Sequence, residues 1–78
     1  MSAKLKQDIS IGNNLKELRK KTGLSQEQVS IQLQLRGLPV SREILSQMEL
    51  GKYSIRISVL LALKEIYRAE IGDFFQDL

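Results

Sequence analysis

Apolar residues recur along this chain at helical spacing, and turn-forming residues interrupt them at short intervals. In SIGNNLKELRKKTG, Ile11, Leu15 and Leu18 fall at i, i+4 and i+7, which predicts a helix with one buried stripe. Gly23 stands where such a helix ends in a left-handed residue, and Lys20 and Lys21 occupy its last turn, where cations suit the helix dipole. LSQEQV opens a second helix. Ser25 is its N-cap, Gln28 the capping-box partner three residues on, and Leu24 and Val29 form a hydrophobic staple. Val29 and Leu33 make one stripe of this helix, Ile31 and Leu35 a second, until Gly37 and Pro39 stop it. Ser41 caps a third helix with Leu45 and Met48 as its core seam, Ile44 on the flank and Gly51 at its end. Ser58 predicts the start of a fourth, with Val59, Leu60, Leu63 and Ile66 inward. Ile71, Phe74, Phe75 and Leu78 recur at i, i+3, i+4 and i+7 and predict a short fifth. Alternation of period two occurs only in KYSIRIS, too short and isolated to build a sheet. The pattern predicts a compact all-α, five-helix domain over residues 9–78, behind a flexible basic tail at 1–8.

Composition narrows the chemistry. A chain of 78 residues buries only about 60% of the surface its unfolded form exposes. It contains no cysteine, so neither a disulfide framework nor a thiolate zinc site is available, and no histidine, the commonest metal ligand. No metal or cofactor is expected. Apolar runs never approach the roughly 20 residues a membrane span needs. The leading MSAKLKQD has lysines but no apolar signal core behind them, so a soluble cytoplasmic protein is expected.

The net charge is +3, and it is unevenly spread. Residues 1–24 carry Lys4, Lys6, Lys16, Arg19, Lys20 and Lys21 against Asp8 and Glu17, whereas residues 58–78 carry Lys64 and Arg68 against Glu65, Glu70, Asp73 and Asp77. The basic end admits a polyanionic partner. Charge alone favours the plainer reading of solvated surface lysines.

The third helix adds a sharper signal. Arg42, Glu43, Ser46 and Gln47 share the face opposite Leu45 and Met48. A capped helix followed through a short connection by a polar-faced one is the pattern of a helix-turn-helix, whose second helix lies in the DNA major groove. Any surface helix has a polar side, so this signal needs the residues around it.

Those residues carry a resemblance. IGNNLKELRKKTGLSQEQVS, then VSREILSQMELGK, then the apolar pair in DFF resemble the Cro/phage-repressor type of helix-turn-helix domain, the XRE family. The likeness covers roughly residues 9–75, and LR-x-x-x-GLSQEQ followed by a helix ending E-x-G-K is diagnostic as a combination. It implies a lambda-repressor-like fold and sequence-specific binding of double-stranded DNA by a small transcriptional regulator acting as a homodimer. It further implies that Arg19 pairs structurally with Glu49. Gln26 would bond a DNA phosphate and brace the recognition helix, with Ser41, Lys52 and Arg56 also on the phosphates. Arg42, Glu43, Ser46 and Gln47 would face base edges. Two departures stand out. QLRGLP intervenes where the family commonly has a tight turn, so helix two is longer or the turn is a loop, and Ser30 stands where the family prefers alanine.

Elementary chemistry supports these roles. Arginine bonds guanine O6/N7 bidentately and glutamine adenine N6/N7, each worth ~1–3 kcal/mol of discrimination. Glu43 would repel phosphates, so it must accept from a cytosine N4, orient Arg42, or simply offset the helix dipole. Lys4 and Lys6 belong to the tail, with an arm along DNA as the alternative. Ile71, Phe74, Phe75 and Leu78 are either core or a dimer surface. A protein-interaction module on the same fold, an antitoxin or anti-regulator, is the second class of function. An enzyme is the third and weakest, because no general acid-base constellation is present.

Overall fold

The computed structural model describes residues 10–78. The basic tail expected at 1–8, with Lys4 and Lys6, and the domain boundary at residue 9 lie outside the described residues. Four α-helices follow one another: α1 (Gly12–Thr22), α2 (Gln26–Leu35), α3 (Arg42–Glu49) and α4 (Ile57–Tyr67). A 3-10 turn at Ile71–Phe75 closes the chain.

Local signals account for most of these limits. Ser25 Oγ accepts from the Gln28 amide at 3.1 Å while Gln28 Oε1 accepts from the Ser25 amide at 2.8 Å, a complete capping box at the start of α2. Ser41 caps α3 by accepting from the Ile44 amide at 3.1 Å. Two expectations need correction. Helix four begins at Ile57, and its first bond runs from the Leu60 amide to the Arg56 carbonyl, which leaves Ser58 inside the first turn and not at the cap. The expected fifth helix is a 3-10 turn of five residues, so the described residues form four α-helices. Asn14 on α1 donates to the carbonyls of Phe74 and Gln76 at 3.0 and 2.9 Å, which ties this end of the chain to α1. The backbone of Gln76 is already extended, and Leu78 lies beyond the turn.

The core is built from every element. Leu15, Val29, Leu33, Leu45, Leu63 and Phe74 are fully buried. So is Ile55, which the KYSIRIS stretch sends inward from the loop before α4. Helix α3 packs against both α1 and α2. Gly12 permits the first of these contacts: a Cβ there would lie 2.5 Å from the Glu49 carbonyl oxygen and 2.6 Å from that of Met48. The positive end of α1 thereby abuts the negative end of α3.

The connection from α2 to α3 is a loop, not a longer helix. The Gly37 amide donates to the Gln34 carbonyl and the Leu38 amide to the Leu33 carbonyl, with Gly37 at φ +81°. This is a Schellman ending, which a residue with a Cβ adopts only under strain. Leu38 folds back onto the core. Around Pro39 the Val40 amide then bonds the Leu38 carbonyl at 2.8 Å, and Ser41 starts α3.

Candidate nucleic-acid interface

Helix α3 divides cleanly into two sides. Leu45, Met48 and Glu49 are buried, while Arg42, Glu43 and Gln47 are exposed and Ser46 is half-buried. At about 100° per residue, positions 42, 43, 46, 47 and 50 fall within an arc of roughly 140°. Leu50, the C-cap, sits in the middle of that arc and is 62% exposed. It was missed in the sequence because apolar residues at a helix end read as core; its signal is the i+4 spacing from Ser46 and i+3 from Gln47. Glu43 Oε1 lies 3.7 Å from Arg42 Nη2, both groups well exposed.

What holds this face in place is charged and buried. Glu49 Oε2 accepts from Arg19 Nε at 2.7 Å, and Oε1 accepts from Arg19 Nη2 at 3.1 Å and from Gln26 Nε2 at 3.0 Å. The Glu49 side chain is 3% exposed and that of Arg19 13%. Arg19 Nη1 also donates to the Leu24 carbonyl at 3.0 Å. One guanidinium thus ties α1 to the end of α3 and to the turn before α2. The hydrogen bond from Glu49 holds the Arg19 pKa above the ordinary arginine value, against the opposing effect of burial.

The residues expected on phosphates are spread around the rim. Gln26 is half-buried, with one amide hydrogen committed to Glu49. Its second amide hydrogen and its position at the start of α2 leave it a donor. Ser41 uses its oxygen as a cap, so its hydroxyl hydrogen remains available. Lys52 and Arg56 are exposed on the loop between α3 and α4 and at the N-cap of α4, and α4 has no side-chain cap and no acidic residue in its first turn.

The four apolar residues at the C-terminal end do not act together. Phe74 is fully buried in the core, a correction to its place in a dimer surface. Ile71, Phe75 and Leu78 are exposed. The turn packs against α1 with Phe74 inward and Phe75 outward.

Tyr67 lies under the ion pair. Its hydroxyl is buried with no hydrogen-bond partner among the described residues. Burial, and then the Glu49 carboxylate, push its pKa well above the ordinary tyrosine value. The folded state therefore keeps this proton where the unfolded chain, titrating near ~10, loses it. Stability from this group is intact below pH ~10 and falls above it, by up to about 1.4 kcal/mol per pH unit. Tyr67→Phe is expected to flatten that alkaline decline and to leave stability at pH 7 unchanged or raised by about 1 kcal/mol. Urea melts of both proteins between pH 7 and 11 check this; parallel pH profiles would refute it.

A capped helix packed against a polar-faced second helix, the first backed by α4 and the second by α1, defines a helix-turn-helix domain. A family model described as helix-turn-helix domain matches residues 10–73. The chain belongs to that family, in its XRE, Cro/phage-repressor type. Among curated proteins none matches. The chain is similar to the restriction-modification controller protein C.AhdI from Aeromonas hydrophila, with 29% identity and a TM-score of 0.70 over 83% of this chain and 87% of that one. It is also similar to an HTH_3 family transcriptional regulator from Vibrio cholerae, with 38% identity and a TM-score of 0.65 over 83% of this chain and 34% of that one. The DNA-binding domain of BldD shares the fold at 22% identity, with a TM-score of 0.67 over 83% of this chain and 87% of that one. Among the described residues no helix is long and apolar enough to cross a membrane.

Proposed function

We propose that this protein is a small transcriptional regulator that binds double-stranded DNA sequence-specifically and lays α3 in the major groove. The observation that carries this reading is the exposed arc of Arg42, Glu43, Ser46, Gln47 and Leu50 on a helix whose opposite side packs Leu45 and Met48 into the core and whose C-terminal end is anchored by the buried Glu49. Arg42 supplies two donors for a guanine edge, Gln47 a donor and an acceptor for an adenine edge, Ser46 a single hydroxyl, and Leu50 an apolar contact for a thymine methyl. Glu43 orients Arg42 or accepts from a cytosine N4. Gln26, Ser41, Lys52 and Arg56 hold the phosphates, which supplies affinity without sequence information. The family membership and the likeness to a controller protein and a transcriptional regulator support the same reading. The protein acts as a homodimer on two half-sites about 34 Å apart, with Ile71, Phe75 and Leu78 as the candidate contact between copies.

The test is a sequence selected from random DNA, followed by affinity measurements across a salt series. Gln47→Ala is expected to lose about 1–3 kcal/mol on the selected sequence with an unchanged salt slope. Lys52→Ala is expected to weaken all sequences alike and to reduce the slope by about one. Binding that ignores both sequence and Gln47 would sink the claim of base readout.

A further inference from the structure

Ser30 is a polar residue on the buried stripe of α2, between Val29 and Leu33, and is 3% exposed. A serine inside a helix ordinarily turns its hydroxyl back to a carbonyl of its own helix. Here Ser30 Oγ donates across the connection to the Val40 carbonyl at 2.6 Å and accepts from Gln34 Nε2 at 3.0 Å. The same Gln34 nitrogen stands 3.4 Å from the Val40 carbonyl oxygen. Val40 is itself buried, and it is the last residue before the cap of the recognition helix.

The connection is tethered along its length. The amides of Gly37 and Leu38 are bonded to the end of α2, Pro39 has a fixed φ and no amide hydrogen, and the Val40 amide is bonded to Leu38. Ser30 fixes the one remaining joint, the carbonyl that sets the direction in which the chain enters α3. On the outer side Arg36 Nη1 reaches Glu65 Oε2 on α4 at 3.0 Å. Two of the places where this sequence leaves the family pattern, the inserted connection and the serine in place of alanine, therefore meet in a single hydrogen bond.

We propose that Ser30 is a positioning residue for DNA reading, holding the lengthened connection so that α3 enters the groove at a fixed angle. The proposal rests on the DNA-binding reading given above. Paired bonds to a purine edge demand alignment of the whole helix, whereas phosphate contacts tolerate a tilt. Losing the Ser30 hydroxyl leaves Leu45 and Met48 in the core and frees only the entry to α3. Its signature is lost discrimination with retained non-specific binding, which a purely structural serine would not produce.

The experiment compares the wild-type chain, Ser30→Ala and Gln34→Ala on the selected DNA sequence and on a scrambled duplex at one salt concentration. Each is assayed well below its melting temperature. Ser30→Ala is expected to weaken binding to the selected sequence about tenfold or more and to stay within about twofold on the scrambled one. Amide chemical shifts of Ser41 to Gln47 should move in the same variant without DNA. A folded Ser30→Ala that binds the selected sequence as tightly as wild type overturns the proposal. If Ser30→Ala does not fold, Gln34→Ala decides, because that side chain is exposed: a loss of roughly threefold in discrimination supports the role, and an unchanged ratio overturns it. A wild-type chain that selects no sequence overturns the DNA-binding reading, and the positioning role falls with it.

Discussion

Glu49→Ala is expected to destabilise the domain by about 3–5 kcal/mol, the loss typical when one partner of a buried ion pair is removed. The carboxylate accepts three hydrogen bonds, two from Arg19 and one from Gln26. Without it the Arg19 guanidinium keeps only its bond to the Leu24 carbonyl in a setting that water barely reaches. At about 4–8 °C per kcal/mol for a domain of this size, the melting temperature should fall by more than about 10 °C. Replacing both partners with apolar residues of similar volume, Arg19→Met with Glu49→Leu, should recover much of the loss, since the desolvation cost then disappears for both. Urea and thermal melts of the two single variants and the double variant measure this. A loss under about 1 kcal/mol for Glu49→Ala would place the pair among surface ion pairs and contradict its geometry. The same experiment bears on function. The pair sits at the C-terminal end of α3, so a double variant that regains stability and still reads its sequence would assign Glu49 to the scaffold alone.

The sequence discloses local features more readily than relational ones. Ser25 with Gln28, Ser41, and the stops at Gly23, Gly37 and Gly51 are legible because caps and turns depend on residues a few positions apart. The outward face of α3 is legible for the same reason, through its helical period. The partnership of Arg19 with Glu49 is different. Thirty residues separate them, no spacing rule connects them, and only the family resemblance points to it. Gly12 illustrates the opposite failure. It has no local signal because its role is to admit the backbone of α3, which is distant in sequence. Ser30 shows in the sequence only as a departure from the family's alanine, since the Val40 carbonyl that makes it matter becomes its neighbour only when the connection folds. Ser58 looked like a cap from its side chain alone, but Ile55 turns inward three residues earlier and the helix starts at Ile57. Where a residue's role depends on a contact outside its own helix, periodicity narrows the choice of face and leaves the partner open.

The adjacent phenylalanines offer the second large effect, and a direct test of how the C-terminal turn is used. Phe74→Ala is expected to cost about 3–5 kcal/mol, because it empties a site that is fully enclosed by the core. It also loosens the turn whose carbonyls Asn14 holds against α1. Phe75 is 43% exposed, and its replacement by alanine should change monomer stability by no more than about 0.5 kcal/mol. The two variants separate further when protein concentration is varied. Phe74→Ala lowers the melting temperature at every concentration, as loss of core packing requires. Phe75→Ala leaves the dilute protein unchanged and removes the rise in melting temperature with concentration that self-association produces. Sedimentation across the same range supplies the association constant directly. Should Phe75→Ala leave association untouched while the wild-type chain dimerises, Ile71, Phe75 and Leu78 are not its contact. The second copy must then bind elsewhere, and the exposed Ile57 and Leu61 on α4 become the next residues to replace.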